Sequence, residues 1–310
     1  MRKPVTELQL ATLSAEAPEG EAWLHEQKFD GYRILALREE DDVKLLSRRF
    51  KDWTAQFQAV ATAVGRLPVH AIALDGEVCV LAPDGRTSFQ ALQNAGANDA
   101  ALVYFVFDLL RLDGEDLTKL PLEQRKARLA KLVRGTGVLR YSDHVIGNGK
   151  AAFARACELG LEGIISKRRD QPYQPGRGRT WLKTKCTHRQ ELVIGGYTDP
   201  DGARTGLGAL LVGYYADKKL VYAGKVGTGF TLESLGELRE DLEPLVRPRS
   251  PFELAPARAW TGPRVHWVEP LLVCEVQFAE WTDDGRLRHP SFQGLRRDKL
   301  PGEVVRERAK

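Results

Sequence analysis

The chain is 310 residues long, 43% hydrophobic and 28% charged, with a formal net charge of +4. These values are ordinary for a soluble globular protein, and the length suggests two domains. There is no apolar run long enough to span a bilayer, no signal-peptide pattern, and no close sequence partner for Cys79, Cys157, Cys186 or Cys274. A membrane span, a zinc spacing and a disulfide framework are therefore not expected, and a reducing cytosol is the simplest setting.

Residues 1–20, with Pro4, Pro18 and Gly20, read as a mostly irregular lead-in. Next comes Lys28-Phe29-Asp30-Gly31-Tyr32-Arg33, on a loop entering the first strand at the edge of a sheet. Tyr32–Arg38 and Val43–Arg48 flank the acidic turn Glu39–Asp42 and predict a hairpin. Phe57, Val60, Ala61 and Val64 mark a short helix over 54–66. His70–Leu81 is a second strand region, broken by Asp75-Gly76-Glu77 and turned at Pro83-Asp84-Gly85. Ser88–Ala95 predicts a helix, and Val103–Leu110 an apolar strand carrying one acid, Asp108. Leu122, Leu129, Leu132 and Val133 share a helical face between Pro121 and Gly135. A helix over 150–159, a strand at Glu162–Lys167, a basic loop at Pro172–Gly178 and the segment Trp181–Lys185 follow.

Near His188 the texture shifts to glycine-punctuated strands: Glu191–Tyr197, Gly208–Tyr215, Lys219–Val226 and Trp267–Trp281. One helix interrupts them, opened by Thr231 with Leu232, Leu235, Leu238 and Leu242 on one face. This pattern suits a small Greek-key barrel of OB type. The boundary divides the chain into 1–187 and 188–310.

Charge is unevenly spread. Residues 162–189 hold eight Lys/Arg against two acids, and residues 286–310 hold eight against three. Two basic segments on an otherwise acidic chain point to a polyanion such as nucleic acid or nucleotide phosphate.

Lys28 is a possible covalent nucleophile once its amine is neutral. Its ordinary pKa of roughly 10.4 means that the amine must be desolvated or lie near other cations. Taken alone, the stretch reads equally as a solvated loop. Asp75 and Glu77, two apart on a strand, share a face and repel unless a cation relieves them; an edge-strand turn explains them as well. Phe107 is core by default and a base-stacking platform otherwise. Glu162 opens the basic segment beside Gly163, where a ligand can approach the backbone. Lys183 and Lys185 face the same way on a strand, an arrangement an intervening anion would relieve.

In order, these pieces resemble the motifs of the covalent nucleotidyltransferases. Lys28–Arg33 is similar to the first motif, Asp75-Gly76-Glu77 to the third, and Tyr104–Leu109 to the aromatic motif after it. Glu162–Ile165 is similar to the fourth, Trp181–Lys185 to the fifth, and Arg296-Arg297-Asp298-Lys299 to the sixth. Trp23–Arg33, Phe89–Asn94, Gly195-Gly196-Tyr197 and Gly224–Phe230 further resemble bacterial ATP-dependent DNA ligases of the ligase C and ligase D end-joining group. The polymerase and phosphoesterase modules of ligase D are absent from this sequence, so the chain reads as a stand-alone ligase or as one module of a longer one.

The resemblance implies an α+β fold: an adenylyltransferase domain of antiparallel sheets with flanking helices, joined to an OB barrel. It implies that Lys28 takes AMP from ATP, passes it to the 5′-phosphate of a nick, and that the 3′-hydroxyl then displaces it. Glu26, Arg33, Arg48, Glu77, Phe107, Lys183 and Lys185 would bind the nucleotide, with Glu26 on the adenine amino group, Phe107 stacked on the base, and Arg33 and Glu77 beside the ribose. Glu77 and Glu162 would hold Mg²⁺ (or Mn²⁺), and Gly31 would leave room for the nucleotide. Asp30 would shape the loop. Arg296, Asp298 and Lys299 would swing over the nucleotide on the OB domain and orient pyrophosphate. Nicked double-stranded DNA, with Ku or a repair polymerase as partners, a monomeric state and a cytoplasmic, nucleoid-associated setting complete the expectation. An RNA ligase or capping-type nucleotidyltransferase, and a non-catalytic OB-type DNA-binding protein, are the other readings. Two positions depart from the family pattern. Arg49-Phe50 stands where an Asn-Gly turn usually follows the Ser-Arg pair, and Arg297 stands where an acid is frequent.

Overall fold

A computed structural model describes residues 5–83, 85–96, 99, 101–133, 137–200, 206–257, 261 and 264–307. One compact unit ends at Cys186, and a second begins at Thr187. Asp84 and Gly135, read above as parts of a turn and a helix end, lie outside the described residues.

The first unit contains β1 (Gln9–Leu13), β2 (Trp23–Gln27), β3 (Tyr32–Glu39), β4 (Asp42–Ser47), α1 (Gln58–Gly65), β5 (Ala71–Val80), α2 (Phe89–Gln93), β6 (Leu102–Leu112) and β7 (Glu115–Asp116). It continues through α3 (Leu122–Leu132), β8 (Leu139–Tyr141), β9 (His144–Ile146), α4 (Gly149–Glu158), β10 (Gly163–Arg168) and β11 (Gly176–Lys185). Two sheets form, in the orders β1-β11-β10-β2-β9 and β4-β3-β5-β6-β7, with β8 also beside β6. Pairing is antiparallel apart from β1 with β11 and β6 with β8. The α+β class read from the sequence is what the chain adopts.

Strand alternation sorts the second sheet's side chains. Ile34, Ala36 and Leu74 join Val60 and Val64 of α1 and Leu129 of α3 in one core. Leu35, Ala73, Phe107 and Leu110 pack instead with Leu8, Tyr173 and Trp181, which belong to the first sheet and its connections. The sheet is thus covered by helices on one face and by the other sheet on the opposite face, as period-two patterning with two buried faces requires.

Three expectations are corrected here, while the lead-in is mostly irregular as read and adds one strand, β1, which pairs in parallel with β11, Gln9 opposite Gly176. The loop with Lys28 does not enter at a sheet edge, because it runs from β2 of one sheet to β3, an internal strand of the other. β5 runs on through Asp75-Gly76-Glu77, with a register shift against β6 between Asp75 and Gly76, and Asp75, fully buried, is matched by the Arg33 guanidinium at 2.9 and 2.6 Å. Gly31 does not open space for a ligand: a Cβ there would lie 2.1 Å from the Val78 carbonyl oxygen, so glycine allows the loop to press against β5.

The cysteine reading is corrected as well. Cys157, in α4, and Cys186, just after β11, form a disulfide. Although 29 residues apart, they meet because α4 packs on β10 and β10 pairs with β11. Cys79 and Cys274 are free and buried.

The second unit contains β12 (His188–Thr198), β13 (Leu210–Ala216), β14 (Lys219–Val226), α5 (Leu232–Leu242), β15 (Val246–Arg247), β16 (Val265–Val268), β17 (Val273–Phe278), β18 (Glu280–Trp281), β19 (Leu287–Arg288) and β20 (Ser291–Leu295). β12 pairs with β17 along its first half and with β16 along its second, so the sheet bends around it in the OB manner. The path β14-β13-β12-β17-β20 is joined at its ends by one parallel bridge, Thr228 with Ser291. A capping box of Thr231 and Ser234 starts α5, which buries Leu235, Leu238 and Leu242.

Candidate active site

Cross-strand register builds the site's floor from β2, β10 and β11. Ile165 faces Glu26 on one side and Lys183 on the other. One row up, Lys167 lies between Leu24 and Trp181. One row down, the Lys28 N–H donates to the Gly163 carbonyl at 2.9 Å, and Gly163 is paired with Lys185. Gly163 has φ +147°, and a Cβ there would lie 2.1 Å from the Thr184 carbonyl oxygen, so this row tolerates only glycine at its centre.

These residues open into one pocket. Glu26, Lys28, Arg33, Arg48, Glu77, Phe107 and Lys183 all line it, with Gln27, Phe29, Lys167, Arg177 and Trp181. Lys185 and Glu162 are not in its lining. Glu162 nevertheless reaches the nucleophile candidate: Lys28 Nζ lies 2.5 Å from Glu162 Oε1, with 20% of the lysine side chain exposed. Arg296, Asp298 and Lys299 belong to the second unit.

Several side chains are held differently from expectation. Arg33 spends its fork on Asp75 and another N–H on the Gln9 carbonyl at 2.6 Å, so it forms pocket wall beneath Phe107, 5.3 Å from that ring. Tyr173 donates to Asp75 Oδ2 at 2.8 Å and completes the cluster. Phe107 is 9% exposed and meets Trp181 edge-on at 5.9 Å. Its ring belongs to the inter-sheet core and also lines the pocket.

Glu26 is 3% exposed, with Lys126 Nζ at 2.6 Å from Oε1 and Lys167 Nζ at 2.7 Å from Oε2. Burial pushes its carboxyl up, but the two ammonium groups outweigh burial and hold it below the usual range. Lys167 lies 4.2 Å from the Phe107 ring centre and 4.1 Å from that of Trp181. Burial, aided by the like charge of Lys126, pushes it down to about 8 against the pull of Glu26.

Arg48 sits in a turn whose geometry accounts for the missing Asn-Gly. Phe50 adopts φ +58°, the left-handed conformation glycine takes readily. Its N–H donates to the Ser47 carbonyl at 2.8 Å and its ring packs on the inter-sheet core, so burial offsets the strain. Asp30 is buried, and its N–H donates to Thr87 Oγ1 at 3.3 Å.

The basic segments are partly neutralised. Lys167, Arg168 and Arg169 pair with Glu26, Asp170 and Glu123, while Arg177 and Lys183 line the pocket. In the second unit Arg296 forks onto Asp298 at 2.9 Å through both nitrogens and reaches Glu275 at 2.8 Å; Lys299 reaches Glu191 at 2.8 Å. Arg297 pairs with Asp241 on the surface.

Sequence reasoning missed Lys167 and Trp181 as pocket-lining residues and Lys126 as the buried partner of Glu26 behind the pocket. Lys167 was legible from alternation, lying two residues after Ile165 on the floor's own face. Lys126 was legible from helical spacing: Arg125 and Lys126 are three and four residues after Leu122, on the buried stripe that ends at Leu129. Both are buried, Arg125 forking onto Asp108.

Among described residues, no three His, Cys, Asp or Glu converge into a metal cluster. Glu77 and Glu162 offer hard carboxylate oxygens, which fits a Mg²⁺ ion that completes its shell with water and substrate phosphate.

Comparison with known proteins gives the family. Residues 9–185 match the family described as ATP dependent DNA ligase domain, and residues 203–299 match ATP dependent DNA ligase C terminal region. The multifunctional non-homologous end joining protein LigD of Pseudomonas aeruginosa is 44% identical over 97% of this chain and 36% of its own length. The corresponding DNA repair protein of Mycobacterium tuberculosis is 42% identical over 92% and 37%. The chain thus spans little more than a third of these relatives. A solved structure, mycobacterial DNA ligase D complexed with ATP and MES, superimposes with a TM-score of 0.73 at 38% identity, covering 97% of this chain and 98% of that one.

Proposed function

This chain belongs to the ATP-dependent DNA ligases, and from that premise we propose that it seals nicks in duplex DNA through an AMP group carried on Lys28. The observation that carries the assignment is one pocket lined by six of the seven expected nucleotide-binding residues, all but Lys185, together with Lys28.

In the first step the neutral Lys28 amine attacks the α-phosphorus of ATP. An N–P bond forms, the bond to pyrophosphate breaks, and the amine loses its proton. Lys183 and Lys185 stand on the same face of β11 and offset charge developing on that phosphate. Phe107 stacks on the base, and Glu26 with Lys167 meets its edge. Glu77 lies beside the ribose, with Arg33 acting mainly through the wall it builds with Asp75. Arg48 binds the nucleotide from its turn after β4. In the second step a 5′-phosphate oxygen of the nick takes AMP from Lys28, and in the third the 3′-hydroxyl oxygen attacks that phosphate and AMP departs.

Glu162 and Glu77 would hold Mg²⁺ (or Mn²⁺), which would supply charge neutralisation on phosphate. The Lys28–Glu162 contact ties the nucleophile to a carboxylate of the proposed metal site. Arg296, Asp298 and Lys299 orient pyrophosphate, and residues 1–187 and 188–310 act as the catalytic and OB domains. The relatives are named as non-homologous end joining proteins, which supports end joining as the pathway; Ku or a repair polymerase as partner, a monomeric state and a cytoplasmic, nucleoid-associated setting belong to the same proposal.

The test is incubation with radiolabelled ATP or GTP and Mg²⁺, followed by nick sealing on a gel. Label from ATP on Lys28, lost in Lys28→Ala together with sealing, is expected. Labelling by GTP alone would sink the assignment.

A further inference from the structure

Glu26 is a carboxylate between two ammonium groups, and one of them is unexplained by its neighbours. Lys167 lines the pocket, whereas Lys126 does not. Lys126 comes from α3, is 1% exposed, and lies outside every motif that marks this family. Its Nζ donates to Glu26 Oε1 at 2.6 Å and to the Ser142 carbonyl at 2.9 Å, and it sits 4.4 Å from the centre of the Tyr141 ring.

Neutralising Glu26 needs one lysine, and Lys167 already supplies it at 2.7 Å. Asp108 offers nothing further, because Arg125 occupies both its oxygens at 2.7 and 2.8 Å. The buried group of Lys126, Lys167, Arg125, Glu26 and Asp108 therefore carries a net positive charge, which stability alone opposes. What the second lysine does supply is geometry. A carboxylate held at one oxygen can rotate; held at both, and with Lys126 itself fixed by Ser142, it cannot.

We propose that Lys126 is a positioning residue for purine recognition: it fixes Glu26 from behind, and through Glu26 it sets where Lys167 stands at the base edge. The consequence is chemical. Lys167 offers only N–H donors and Glu26 only acceptors. Adenine presents an amino donor beside a ring-nitrogen acceptor; guanine presents a carbonyl acceptor beside a ring N–H donor. A donor and an acceptor locked side by side match one order and oppose the other, and each mismatch leaves a buried polar group unpaired. Loosening Glu26 relaxes that choice without touching Lys28.

The inference rests on the adenylylation reading above, and the experiment separates the two. Formation of lysyl-AMP is followed by mass shift in single turnover, at varied ATP and GTP, for the parent, Lys126→Met, Lys126→Gln and Lys126→Arg. A parent that takes no AMP from ATP sinks the adenylylation reading itself. With a labelling parent, the expected result is a half-saturating ATP concentration raised about tenfold or more in Lys126→Met, a maximal rate within about threefold of the parent, and a reduced preference for ATP over GTP. Lys126→Arg should recover most of the lost affinity. Should Lys126→Met fail to fold, Lys126→Gln carries the test, with the same shift in affinity and preference. Unchanged ATP affinity and preference in a folded Met or Gln variant overturns the proposal. So does a fall in maximal rate that tracks lost thermal stability with preference intact, since that marks a structural role alone.

Discussion

Lys28 Nζ and Glu162 Oε1 lie 2.5 Å apart, although one belongs to a loop linking two sheets and the other precedes β10 by a single residue. The register is made by the backbone, through the Lys28 N–H on the Gly163 carbonyl. Nucleophile and proposed metal acid are thus set by one hydrogen bond. Glu162→Gln removes the counter-charge and a metal oxygen together. AMP uptake should fall on the order of a hundredfold, and the Mg²⁺ concentration for half-maximal rate should rise. An unaltered Mg²⁺ dependence would remove Glu162 from the metal site.

Gly163→Ala tests the same row without changing charge. The added methyl would meet the Thr184 carbonyl at 2.1 Å in a backbone conformation that disfavours side chains. Strain and overpacking together should destabilise the first unit by about 2–5 kcal/mol. Urea unfolding followed by tryptophan fluorescence measures this, and a loss under about 1 kcal/mol would show that β10 can shift freely.

The pH dependence of nucleotide binding should carry the mark of Lys167. Burial lowers it to about 8, so its ammonium is present below that pH and lost above it. Affinity for ATP should therefore weaken severalfold as pH rises from 7 to 9, and the slope should vanish in Lys167→Met. The sign for stability is opposite. The folded state disfavours this ammonium, so its penalty is fully present below pH 8 and fades as pH climbs toward the ordinary lysine value of roughly 10.4. A binding profile flat across pH 8 in the parent would exclude Lys167 from the base edge.

The Cys157–Cys186 bond closes a loop of 29 residues. Loop-closure entropy predicts that reduction, or Cys157→Ser, lowers stability by about 3–4 kcal/mol. Alkylation under denaturing conditions should trap two thiols, Cys79 and Cys274, before reduction and four after it. Four trapped thiols without reductant would show the pair to be a dithiol.

What could be read beforehand was local. The β3–β4 hairpin announced itself by an acidic turn between apolar runs, and Lys183 with Lys185 by alternation. What escaped was long-range. β1 has no strong pattern of its own and is held by a partner strand some 170 residues away, with Gln9 opposite Gly176. Asp75 resembled a strand breaker because its compensating arginine lies on the next strand, not in the next few residues. The motif pattern located the pocket, since motif residues share strand faces that register brings together. Helical spacing could show that Lys126 is buried, but not its partner, since α3 reaches Glu26 100 residues away along the chain.

Glu26 lies in β2, and Lys28, two residues on, is the first residue beyond that strand's end. The group that reads the base and the group that makes the bond therefore share a single rigid mount, and altering either from inside the pocket disturbs both. α3 supplies an entry from the other side. Redirecting this protein toward a different nucleotide triphosphate, for orthogonal labelling of DNA ends, is best begun by diversifying Lys126 and its neighbours Tyr141 and Ser142, leaving the covalent chemistry on its original footing.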